Sequence, residues 1–219
     1  MRVKQFGLFA LSIFALILLA GLTSAVTLSN WNFDNAAQLL IPSTGTATLT
    51  PNNGSIVTDV TGNPSTGRAL SSNNWDANES FEIKVNTAGF ENILLKFDEE
   101  VSSTGPTSFK IQYSSDGITF IDLTVNTTST VAAFTTNPMH TFDFSAINAI
   151  DNNVNTKLRI TVPSSASSAS GAFHLDNLLI EGTALTTATV PSEVTTCSAT
   201  GNPGQLEVRK INFQNNGMQ

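Results

Sequence analysis

From Thr27 to Gly182 the chain is a succession of short stretches, none longer than a strand, in which apolar residues alternate with polar ones or gather in brief runs. "TATLT", "SFEIKVNT", "SFKIQYSS", "KLRITV" and "AFHLDNLLIEG" are examples, separated by turn-forming clusters such as "PNNG", "GNPSTG", "SSNN" and "SSDG". A period of two places alternate side chains on opposite faces of a strand, and short strands at regular spacing predict an all-β, antiparallel two-sheet sandwich of the jelly-roll kind. In "SFEIKVNT", Phe81, Ile83 and Val85 take one face while Glu82 and Lys84 take the other, as in a strand wet on one side. Phe109, Ile111 and Tyr113 alternate up to Asp116 and Gly117, which are expected to adopt the left-handed conformations of a tight hairpin before Phe120 and Ile121 resume the pattern. "SAINAIDNN" predicts one helical turn, with Ser145 as its cap. The stock of Thr, Ser and Asn, with fourteen Phe against one Tyr, suits pleated, half-buried surfaces joined by turns.

The two ends read differently. Arg2 and Lys4 precede an apolar stretch from Gly7 to Leu22, and Thr23 and Ala25 supply the small residues of a cleavage site. Residues 1–25 are therefore expected to be a signal peptide, because about 16 apolar residues fall short of a spanning helix. This predicts a secreted, extracellular or cell-surface protein whose only dealing with a membrane is export. Removing two basic residues from a chain of net charge -7 makes the mature domain more acidic, which excludes nucleic acid and anionic lipid as partners. Residues 26–183 hold the expected sandwich, and 184–205 form a spacer rich in Thr, Ser, Pro and Gly. Residues 206–219, with Leu206, Val208, Ile211 and Phe213, return to strand chemistry as the start of a further domain or as a strand for self-association. Cys197, the single cysteine, rules out an internal disulfide and is a candidate intermolecular thiol.

Motifs that would carry catalysis are missing. Neither His140 nor His174 lies in a serine-hydrolase pattern, and no phosphate loop or dinucleotide fingerprint occurs. Glu82 reads as a solvent-facing strand residue, and Asp98, Glu99 and Glu100 read as solvated charge closing a strand. Two histidines and one distant cysteine do not make a zinc site. Sugar binding needs an exposed aromatic face flanked by amides and carboxylates. Trp75, set among Asn73, Asn74 and Asp76, is the leading candidate, with Tyr113 second. The alternative for Trp75 is an indole folded back over the core. Asn53, Asn78 and Asn126 each begin a glycosylation sequon in a turn-like context.

"WNFDN", "IQYSSDGITFIDL", "FDFSAINAIDNNVNTKLRI" and "FHLDNLLIEG" occur in an order that resembles the jelly-roll modules of secreted bacterial and archaeal surface proteins, similar in architecture to carbohydrate-binding modules. The resemblance implies that the last strand lies beside the first and that an acidic residue from each, here Asp34 and Asp176, holds a structural calcium ion. The alternative for Asp176 and Asn177 is hydrogen bonding to backbone amides at a strand twist. The expected role is a non-catalytic structural or adhesion module of the cell surface or extracellular matrix, whose partners are cell-envelope or matrix components or glycans. Carbohydrate binding through Trp75 and its Asn-rich loop is the alternative.

Overall fold

The structure, a computed structural model, describes residues 24–52, 57–124, 126–131, 134 and 139–186. Nearly all of the expected signal peptide, Asn53, most of the spacer, Cys197 and the terminal strand expected at 206–219 lie outside the described residues. Among the described residues thirteen strands run in order: β1 Ala25–Trp31, β2 Thr44–Gly45, β3 Thr48–Pro51, β4 Val57–Thr61, β5 Arg68–Ser72, β6 Ser80–Lys84 and β7 Phe90–Val101. They continue as β8 Ser108–Ser114, β9 Ile121–Asp122, β10 Thr127–Thr128, β11 His140–Asp143, β12 Lys157–Thr161 and β13 Phe173–Ala184. Their pairings are antiparallel. One sheet has seven strands in the order β11-β7-β13-β1-β2, with β5 on β13 and β4 beyond β5. The other has six, in the order β10-β8-β12-β6-β3, with β9 on β8. This is the expected all-β two-sheet sandwich.

The alternation read from the sequence governs which face goes inward. Phe81 and Ile83 of β6, Phe109 and Ile111 of β8 and Leu158 and Ile160 of β12 are buried, meeting Leu95 and Phe97 of β7 and Phe173, Leu175 and Ile180 of β13. Each such side chain contributes roughly 1.5–3 kcal/mol on leaving water, so this aromatic-rich layer is the main source of stability. Trp31 is fully buried and donates its indole N–H to the carbonyl of Leu40 at 3.2 Å.

Three local expectations change. The helical turn is a 3-10 turn at Asn148–Ile150 whose N-cap position is Ile147, so Ser145 lies ahead of it and no side chain caps it. In the β8–β9 loop only Gly117 takes a positive φ, of 76°. Asp116 acts through its side chain, accepting from the backbone N–H of Ile118 and Thr119 at 2.8 and 2.7 Å. The "DEE" run does not close a strand in solvent: β7 continues to Val101 between β11 and β13, and Asp98 and Glu99 are buried. Carboxylates buried near the end of this strand need partners. Glu99 receives the backbone N–H of Thr130 at 2.8 Å and faces His140 Nε2 at 3.3 Å.

Candidate functional site

The last strand lies alongside the first, as expected: β13 pairs with β1 from Ala25↔Thr183 to Trp31↔Leu178. On that same edge β13 also pairs with β5, through Phe173↔Ser72 to Leu175↔Leu70. Two strands therefore share one edge of β13, and their junction falls at Asp176 and Asn177. Asn177 has a φ of 48°, and the pairing with β7 shifts register between Asp176 and Leu179, which marks a bulge. The bulge turns a buried carboxylate toward the gap.

Asp176 is 1% exposed and lies opposite Asp98 of β7. The turn between β4 and β5 fills the space over it. Asn63 donates its backbone N–H to Asp176 Oδ2 at 2.6 Å and its side-chain amide to Asp98 Oδ2 at 2.9 Å. Asn177 repeats the arrangement, giving its backbone N–H to Asp176 Oδ1 at 2.7 Å and its side-chain amide to Asp98 Oδ2 at 2.8 Å. Only glycine fits beside them at position 62, where a Cβ would collide with Asp176 Oδ2 and the Arg68 backbone. Asp34, just past β1 and exposed, accepts the backbone N–H of Arg68 at 3.0 Å and so ties the end of β1 to the start of β5. Burial pushes the Asp176 carboxyl up to about 6, against the two backbone hydrogen bonds and with help from the Asp98 and Asp34 charges.

The calcium expectation is tested by this donor set. Asp34 Oδ1, Asp98 Oδ2 and both oxygens of Asp176 accept from N–H groups, so a cation there would meet the positive ends of N–H dipoles. Among the described residues no group of three or more His, Cys, Asp or Glu is arranged to hold a metal ion. The residues as placed do not fit calcium; they form a hydrogen-bonded seam between β1, β5, β7 and β13.

His174 sits on the outer face of β13, directly opposite Glu100, with Nδ1 at 3.7 Å from Glu100 Oε1. Burial holds its pKa down, opposed by the Glu100 charge. A cavity of about 370 Å³ beside it is lined by Val60, Thr61, Gly62, Ser65, Glu100 and Phe134. Among the described residues no serine hydroxyl hydrogen-bonds to either histidine.

Trp75 is not a binding platform. Its indole is 2% exposed, meets Phe81 edge-on at 5.0 Å and Phe173 at 6.0 Å, and donates its N–H to the Ser72 carbonyl at 2.7 Å. The polar residues around it, Asn73, Asn74 and Asp76, are exposed, but the ring they were to flank faces the core. Tyr113 likewise turns inward, edge-on to Phe144 at 6.2 Å. Asn78 and Asn126 are exposed.

The outer face of the six-stranded sheet is built otherwise. Register places Thr50, Glu82, Arg159, Gln112 and Asp122 in one row across β3, β6, β12, β8 and β9. Arg159 gives Nε and Nη2 to Glu82 Oε2 at 3.0 and 2.7 Å, and Lys157 Nζ meets Glu82 Oε1 at 2.7 Å. Gln112 donates to Asp122 Oδ1 at 2.7 Å and accepts from the Thr161 hydroxyl at 2.9 Å, while Lys110 Nζ reaches Asp122 Oδ2 at 3.1 Å. Phe120 reaches this face from the β8–β9 loop, its ring centroid 3.4 Å from the Arg159 guanidinium carbon. Burial raises the Glu82 pKa, but hydrogen bonds from Lys157 and Arg159 outweigh it and hold the carboxyl below its usual range. Sequence reasoning recognised Glu82 as outward-facing and missed the row, since strand register is not visible in one strand's pattern.

Sheet order and geometry together define an antiparallel two-sheet β-sandwich. Solved structures of similar fold include carbohydrate-binding modules. The CBM22-1 xylan-binding domain from Paenibacillus barcinonensis Xyn10C matches at 12% identity and a TM-score of 0.52, covering 75% of this chain and 99% of that one. The CBM22-1-CBM22-2 tandem domain of the same protein matches at 12% identity and 0.52, over 80% of this chain and 50% of that one. A carbohydrate-binding module of family 29 reaches a TM-score of 0.45 at 13% identity, over 74% of this chain and 89% of that one. No family model matches the chain, and no curated protein does. The expectation of a structural or adhesion module is corrected here: the architecture is shared with carbohydrate-binding modules, which favours the alternative reading. Among the described residues no helix is long and apolar enough to cross a membrane.

Proposed function

We propose that this protein is an exported, non-catalytic carbohydrate-binding module that lays an extended polysaccharide across the outer face of its six-stranded sheet. The observation that carries the reading is the in-register row Thr50, Glu82, Arg159, Gln112 and Asp122. Sugar hydroxyls are recognised by planar groups that donate and accept at fixed spacing, and these side chains already hold one another in place. Strands about 4.8 Å apart make the five-strand row roughly 19 Å long, which accommodates several rings of a chain. Phe120 supplies the aromatic surface beside it. The charged amino end and apolar run of residues 1–25 support export.

Affinity electrophoresis and calorimetry against a panel of plant and microbial polysaccharides test the proposal. Arg159→Ala and Phe120→Ala are each expected to weaken binding roughly tenfold while the protein stays folded by circular dichroism. Undiminished binding in both variants, or retention by none of the panel, refutes it.

A further inference from the structure

Charge is segregated between the two sheets. The strands of the seven-stranded sheet carry eight acidic residues against Arg68 and Lys96, of which Asp98, Glu99 and Asp176 are buried and five remain toward solvent. Those of the six-stranded sheet carry Lys84, Lys110, Lys157 and Arg159 against Glu82 and Asp122, a net of +2 in a chain of net -7. In the segments adjoining β8 and β6, Asp116 is engaged by the amides of its own turn and Glu79 by the backbone N–H of Asp76 at 2.6 Å.

Within the face one pairing works against the sheet. Lys84 of β6 lies directly opposite Lys157 of β12. Like charges in that position destabilise an antiparallel pair. Lys157 finds Glu82, but among the described residues Lys84 takes part in no ion pair. It is exposed, next to Thr48 on β3. An anion seated between the two ammonium groups would turn this repulsion into a bidentate site at the flank of the polar row.

We infer that the preferred ligand is an anionic polysaccharide, with a carboxylate or sulfate group of the chain seated between Lys84 and Lys157 and its rings running along the Glu82–Arg159–Gln112 row. The inference rests on the carbohydrate-binding reading and names its ligand class. The acidic opposite sheet repels such a chain and leaves this face as its landing surface.

The test is affinity electrophoresis of the full chain with polygalacturonate as the carboxylated probe, a sulfated galactan as the sulfated one, and xylan and glucomannan as neutral ones. Retardation by an anionic probe should exceed that by the neutral ones and decline when salt is raised to about 300 mM, as screening shortens the reach of exposed charges. Which anionic probe is retained tells carboxylate from sulfate. Lys84→Gln should weaken the anionic interaction roughly three- to fivefold and reduce its salt dependence, with the melting temperature kept or slightly raised because the repulsion from Lys157 is relieved. Equal retention by neutral and anionic probes overturns the inference and leaves the carbohydrate reading standing. No retention by any probe removes both. Equal competition by inorganic polyphosphate also overturns it, since the face would then be collecting any polyanion.

Discussion

A single aromatic shows how far a residue's neighbours in sequence mislead about its neighbours in space. Trp75 is flanked by Asn73, Asn74 and Asp76, the company expected of a sugar platform, yet its ring closes one end of the core against Phe81 and Phe173. The Ser72 carbonyl makes this possible, because a buried indole N–H left without an acceptor would be costly. Trp75→Ala should therefore lower stability by about 3–5 kcal/mol, as other large-to-small core changes do, measured by chemical denaturation. A variant of unchanged stability that had lost glycan binding would contradict the placement. Asp98 and Glu99 teach the same lesson in reverse. Charge read as a solvated strand end is buried, since Asn63 and Asn177 cover one carboxylate and Thr130 the other.

At the scale of elements, β13 organises the molecule. One edge meets β7, and the other meets β5 and then β1, so the switch of neighbour leaves a seam that must be closed with polar groups. Asp176, Asn177 and Asn63 close it. With its pKa raised to about 6 by burial, Asp176 binds a proton more tightly in the folded protein than in the unfolded chain. Its contribution to stability is thus fully present below the ordinary carboxylate pKa of about 3.9 and is lost as pH rises through about 6. NMR titration of the Asp176 carboxyl should show its midpoint near 6; a midpoint near the ordinary carboxylate value would mean the group is solvated and the seam open. The sequence motif "FHLDNLLIEG" pointed to this strand and to hydrogen bonding at a twist as one of two readings. It held no trace of Asn63, more than a hundred residues away in the chain, which supplies half the donors.

For the whole molecule, a hydrogen-bonded seam in place of an ion site has a direct consequence. Chelation should leave the melting temperature unchanged, because metal binding stabilises a fold only through groups that hold the ion in the native state. A marked fall on adding chelator would show that Asp34 and Asp176 take a cation after all. Fold class, strand composition and the inward set of side chains were legible in the sequence, since alternation and turn chemistry are local and each strand declares its own buried face. Which strands lie side by side was decided only in three dimensions. Pairing Lys84 with Lys157, Glu82 with Arg159 and Asp176 with Asp98 depends on register between distant segments, and the outward positions that form a binding surface carry no apolar pattern to reveal it.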